Sequence, residues 1–155
     1  MFVDVVNVTS AADMADVVKS KAAEQDIIIM TAAVADFCPS HPADEKIKKN
    51  DSSYESVIEL ERTEDILSYL GAHKTKGQLI CGFSMETQNM LENSKAKLAK
   101  KNADMIVANN LKVAGAGFGT DTNVVTLITA DDCTELEIMD KSCVAARIID
   151  RLLQM

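Results

Sequence analysis

Apolar positions along the chain fall either in strand-length runs or at helical spacing. Residues 3–8 are rich in β-branched side chains and predict a strand. Met14, Val17, Val18 and Ala22 then recur at helical spacing, with Ser10 as N-cap. Residues 26–34 (DIIIMTAAV) are a strand-length run apolar on both faces, which predicts a central parallel strand covered by helices. Residues 36–53 contain both prolines among acids and lysines and predict a long exposed loop. A short strand follows at 56–60, then a helix at 64–71 capped by Thr63 and closed by Gly71. Residues 78–83 (QLICGF) predict a buried strand, 86–102 a helix and 104–109 (DMIVAN) another buried strand. Residues 112–123, with three glycines, predict a loop. Residues 124–129 and 135–139 predict an antiparallel pair across a turn at Asp131 and Asp132, and Asp140 caps a final helix running to about Leu153.

Strands separated by helices imply βαβ units. The expected fold is α/β, a Rossmann-like three-layer domain with a mostly parallel sheet and a small antiparallel pair. Such sheets bind ligands at the carboxyl ends of their strands. Here those ends are residues 33–36, 82–86 and 109 onward.

The 155 residues suit one domain with one core. Aromatics are only 4%, so that core must be built from aliphatic side chains and Met. A net charge of −8 argues against nucleic acid and against an anionic membrane surface, both of which need a basic face. No run approaches the ~20 apolar residues that span a bilayer, and no secretory signal is visible. Cys38, Cys81, Cys133 and Cys143 form no CxxC pair, and His41 and His73 lack ligand spacing. The cysteines are expected to be reduced cytosolic thiols, mostly buried, and no zinc site is expected.

Five segments can carry chemistry. EKIKK (45–49) is a lysine cluster on the long loop, either a closing phosphate clamp or a solvated charge run. Asp36 ends a buried strand and suits a hydrogen-bond acceptor, a metal ligand or a turn cap. Lys97 and Lys101 share a helix face, where two ammonium groups repel unless an anion lies between them, or they are solvated. Gly82 lets a ligand approach the backbone, and Phe83 beside it can stack on a base or fill the core. The loop from Gly115 to Gly119 follows no strand–helix turn, so it is no dinucleotide fingerprint. Two isolated histidines support no Ser-His-Asp or Cys-His arrangement.

Six segments in order, AAVADF (32–37), EKIKK (45–49), RTEDIL (62–67), GFSMET (82–87), KLAKKNADMIVAN (97–109) and GFGTDTN (117–123), resemble the motifs of the bacterial phosphopantothenoylcysteine synthetase family over nearly the whole chain. The resemblance implies a cytoplasmic ligase of coenzyme A biosynthesis that joins 4′-phosphopantothenate to cysteine with CTP and Mg2+. The carboxylate attacks the nucleotide α-phosphate to give an acyl-cytidylate, which the cysteine amine then opens. By the same resemblance Lys46 is the catalytic lysine on a closing loop. Asp36, Glu64, Asp65, Ile66, Leu67, Phe83, Lys97 and Lys101, with Lys46, contact CTP. Ala32 and Ala33 line the substrate site. Glu64 stands where the family often has Pro. Metal ligands are not implied at named positions.

The resemblance further implies a homodimer and, in the full-length protein, a flavin-dependent decarboxylase domain. The strands at 124–139 are candidates for pairing across a two-fold axis. The family's opening GGT-type strand–turn and NRSSG-type helix have no counterpart here, so residues 1–155 are expected to form a single synthetase domain without its Gly-rich segment. Two other readings fit that departure, a non-catalytic nucleotide- or phosphate-binding module and an inactive truncated fragment; a third reading is an interaction or assembly domain.

Overall fold

The computed structural model describes residues 2–43, 45–46, 57–86, 89–110 and 119–155, with the backbone alone at Glu86. Ile47, Lys48 and Lys49 of EKIKK, Thr87, and Gly115 and Gly117 of the glycine loop lie outside the described residues. In chain order the elements are α1 (Ala11–Ala22), β1 (Ile27–Met30), β2 (Phe37–Pro39), β3 (Leu60–Arg62), α2 (Ile66–Ala72), β4 (Leu79–Glu86), α3 (Met90–Lys100), β5 (Met105–Asn110), β6 (Thr122–Asn123), β7 (Val125–Ile128), β8 (Cys133–Glu135), β9 (Met139–Asp140) and α4 (Lys141–Leu152).

The main sheet has five strands in the order β1-β4-β5-β7-β8. β1, β4 and β5 run parallel, joined through α2 and α3, while β7 and β8 run antiparallel. Two antiparallel ribbons, β2 with β3 and β6 with β9, flank it. Alternate residues of β4 serve opposite faces, as strand geometry requires. Ile80 packs with Ala15, Ile66 and Leu70 of α1 and α2, whereas Cys81 packs with Val144, Ile148 and Leu152 of α4. The Ser84 hydroxyl meets that of Ser94 in α3 at 2.8 Å, putting α3 on the α1–α2 side. The domain is therefore three-layered α/β with an aliphatic core, as expected. Each fully buried Leu or Ile contributes about 1.5–3 kcal/mol.

Several boundaries moved. Residues 3–8 form no strand; Val3 and Val5 are 68% and 74% exposed. β-branched composition gives propensity, but a strand exists only with a ladder partner. β1 is an edge strand among the described residues, not a central one, because being apolar on both faces does not specify position in the sheet. The run at 26–34 leaves the ladder after Met30, its register partner being Gly82. The strand expected at 56–60 lies at Leu60–Arg62, paired with Phe37–Pro39 inside the expected loop. Asp65, not Thr63, caps α2 through the Ser68 N–H at 2.9 Å. Gly71 sits within α2, buried, and does not close it. α3 begins at Met90 and not at Glu86, which is the last residue of β4.

The Ser10 cap is a complete capping box: its hydroxyl accepts the Asp13 N–H, and the Asp13 carboxylate accepts the Ser10 N–H. Asp140 stands at the N-cap of α4 but makes no side-chain cap bond. All four cysteines are free; only Cys81 is buried, and Cys133 and Cys143 are exposed, because Cys143 sits on the outer face of α4.

Candidate functional site at the carboxyl ends of β1 and β4

The chain leaving β1 diverges from β4, and that divergence opens a cavity of about 500 Å3. Met30, Ala32, Val34, Ala35 and Asp36 form one wall. Thr63 to Leu67 at the entry to α2 form the second, Phe83 of β4 the floor, and Asn93, Ala96, Lys97, Lys100 and Lys101 of α3 the third. The α3 positions fall at i, i+3, i+4, i+7 and i+8, a single helix face. Parallel strands sharing one direction leave their carboxyl ends, and hence the helix entries, on the same side.

The walls are fixed by buried contacts. The Ser84–Ser94 hydrogen bond ties α3 to β4. A Cβ on Gly82 would lie 2.6 Å from Leu67, so this glycine admits the Leu67 side chain and not, as the sequence suggested, a ligand. Gly71 lets α2 meet the end of α3, since a Cβ there would stand 1.8 Å from the Lys101 carbonyl oxygen. Asn102, in the left-handed region, donates from Nδ2 to the Gly71 carbonyl at 2.7 Å and closes the same junction.

Three lysines face three carboxylates around the cavity. Lys97 Nζ donates to the Phe83 carbonyl at 2.8 Å. Lys101 Nζ is paired with the Asp65 carboxylate and donates to the Ser68 hydroxyl at 3.0 Å. Glu64 is paired with Lys19 of α1 at 2.5 Å, and this hydrogen bond raises the Lys19 ammonium above its ordinary value. Among the described residues the Asp36 carboxylate and the Lys100 ammonium have no side-chain partner. Partial burial pushes the Asp65 carboxyl up, but hydrogen bonds from Lys101 and the Ser68 N–H and the Lys101 charge outweigh it, and the net position is below the ordinary 3.8.

The cavity gathers Asp36, Glu64, Asp65, Ile66, Leu67, Phe83, Lys97 and Lys101, together with Ala32. Ala33 does not line it, and Lys46 is exposed outside the lining. The anion between Lys97 and Lys101 that like-charge repulsion demanded is, for Lys101, the protein's own Asp65. Phe83 is half-buried and packs against the α4-side core, the second of its two expected roles, and it also lines the cavity. Sequence reasoning missed Asn93, Ala96 and Lys100, although their spacing to Lys97 and Lys101 was a usable helical-face signal. Chemically, an apolar floor with ammonium groups on one side and an unpaired carboxylate opposite suits a molecule with a flat apolar part and a polyanionic part.

The family model of the DNA/pantothenate metabolism flavoprotein C-terminal domain matches residues 1–155. The coenzyme A biosynthesis bifunctional protein CoaBC of Bacillus subtilis is 48% identical over 146 residues, which is 94% of this chain and 35% of that protein. A cysteine/cysteine sulfinic acid decarboxylase from an unknown prokaryotic organism is 45% identical over 152 residues, 97% of this chain and 42% of that protein. The crystal structure of the C-terminal domain of a CoaBC superposes with a TM-score of 0.76 at 42% identity, covering 97% of this chain and 66% of that one. The chain thus spans about two fifths or less of those curated relatives. It belongs to the DNA/pantothenate metabolism flavoprotein C-terminal domain family.

Proposed function

We propose that the chain is the nucleotide-binding part of a phosphopantothenate–cysteine ligase, activating the 4′-phosphopantothenate carboxylate with CTP. The observation that carries this reading is the convergence on one cavity of residues scattered from 36 to 101, with Lys97, Lys100 and Lys101 on one helix face. Family membership and the CoaBC relatives support the same activity.

On this reading Phe83 supplies the surface for the base, and the α3 lysines hold the phosphates. The substrate carboxylate, near Ala32, attacks the α-phosphate and expels pyrophosphate, giving an acyl-cytidylate. The cysteine amine then attacks the acyl carbon and releases CMP. The first barrier is dominated by charge gathering on the phosphates, which positioned ammonium groups offset. Lys46 delivers a further ammonium when its loop closes.

Among the described residues no cluster of three or more His, Cys, Asp or Glu is gathered for a metal. The unpaired Asp36 carboxylate nevertheless fits Mg2+, which is commonly held by one or two carboxylates together with substrate phosphates. When bound, Mg2+ would neutralise phosphate charge there.

CTP-dependent pyrophosphate release in the presence of 4′-phosphopantothenate, lost in Lys46→Gln, is the test. Full turnover in that variant overturns the role given to Lys46. A second reading, a non-catalytic nucleotide-binding module, is favoured by the position of Lys46 outside the cavity lining. It requires CTP binding without pyrophosphate release.

The wider setting proposed is a cytoplasmic homodimer working with a flavin-dependent decarboxylase domain. The exposed β8 edge and exposed Phe37, Val57, Ile58 and Leu60 around β2 and β3 support a subunit contact. Sedimentation as a monomer would overturn the dimer. Among the described residues no helix is long and apolar enough to cross a membrane.

A further inference from the structure

We infer that Lys100 is an additional polyphosphate contact of this cavity. The inference rests on the nucleotide reading above and gives a role to a residue of the KLAKK segment that had none.

The argument is an accounting of partners. Lys97 is hydrogen-bonded to the Phe83 carbonyl, and Lys101 to Asp65 and Ser68. An incoming phosphate must compete with those contacts. Lys100 lines the same cavity, is exposed, and has no side-chain partner among the described residues. Among the described residues nothing pairs its charge, and reaching a phosphate breaks no bond to them. An ammonium in water loses some hydration on contact, yet a charged hydrogen bond to a phosphate oxygen more than recovers it. Lys100 sits three residues after Lys97 and one before Lys101, so a chain of phosphates running along α3 passes its end of the face. Asp36, the lining carboxylate without a side-chain partner among the described residues, stands on the wall after β1. Among the described residues the site thus offers the anion an α3 ammonium engaged in no hydrogen bond and, on another wall, a carboxylate without a side-chain partner, which favours binding in one orientation.

The test is titration calorimetry of the protein with CTP and with CMP, each with Mg2+, for the unaltered protein, Lys100→Ala and Lys100→Arg, with thermal melts confirming equal folding. Lys100→Ala is expected to weaken CTP by about tenfold and CMP by less than about threefold, and Lys100→Arg to retain CTP within about threefold, since the lost contact is to the outer phosphates. The salt dependence of CTP affinity is expected to become shallower in Lys100→Ala. Unchanged CTP affinity in Lys100→Ala, or equal losses for CTP and CMP, overturns the inference while leaving the nucleotide reading intact. Failure of the unaltered protein to bind CTP overturns the nucleotide reading and the inference with it.

Discussion

The Lys101 ammonium is seated on the Asp65 carboxylate, and the same carboxylate caps α2 by accepting the Ser68 N–H at 2.9 Å. One acid therefore fixes both the start of a helix and the charge of the cavity beside it. Lys101 is mostly buried, its side chain 13% exposed, whereas that of Asp65 is 50% exposed. Loss of the acid leaves the lysine without its counter-charge at the wall of a cavity.

Asp65→Ala should lower stability by about 1–2 kcal/mol, mostly through the lost cap, because the ion pair of a half-exposed carboxylate is screened. Asp65→Asn keeps an acceptor for the Ser68 N–H and should lose about half as much. Urea unfolding of the two variants separates cap from charge; equal losses would show that the cap contributes little.

The same group sets an acid limb. The Asp65 carboxyl is held below its ordinary 3.8 by hydrogen bonds and the Lys101 charge, in excess of the opposing effect of burial. A depressed carboxyl contributes stability above its unfolded value, and that contribution disappears as pH falls through the folded one. Asp13, held down by Thr9 and Ser10, and Asp132, held down by Thr134 and the Cys133 N–H, act in the same direction. Stability should be level above about pH 5 and fall progressively below 3.8, with a shallower fall in Asp65→Asn, measurable by thermal melts from pH 2 to 6.

How much of this was legible in the sequence follows the physics of each signal. The helices were readable because their buried faces impose a 3.6 period, and the inner strands because strands buried on both faces read as short apolar runs: Met14, Val18 and Ala22 pack where spacing placed them. Position in the sheet was not readable, since a run such as IIIM is apolar whether it is central or at the edge. The expected strand at 3–8 failed for want of a partner, which propensity cannot see. Most of the site was readable from the order of motifs. The Asp65–Lys101 pair was not, because ion pairing between residues 36 apart depends on the closeness of α2 and α3 that Gly71 permits.

That closeness is itself testable. In Gly71→Ala the new Cβ would meet the Lys101 carbonyl oxygen, a backbone atom that cannot step aside alone. The substitution should destabilise the protein by about 1–3 kcal/mol by forcing the helices apart. It should also weaken nucleotide binding through displaced Lys101. Wild-type stability in Gly71→Ala would show that the α2–α3 junction yields easily.

Thiol chemistry should sort by exposure. Burial, with the nearby Asp104 charge, pushes the Cys81 thiol up to about 12. Cys133 and Cys143 are exposed. At pH 8 a maleimide or iodoacetamide should label Cys133 and Cys143 first, with Cys81 labelled only after denaturation, as read by peptide mass spectrometry. Early labelling of Cys81 would mean that β4 opens locally.

The central claim is that the cavity between β1, α2 and α3 binds a nucleoside triphosphate. Calorimetric titration with CTP and Mg2+, on the unaltered protein and on Lys97→Ala combined with Lys101→Ala, tests it most directly. The account predicts one bound CTP per chain and a loss of at least about tenfold in affinity when the two lysines are removed. Absence of binding, or binding indifferent to those two lysines, would contradict it.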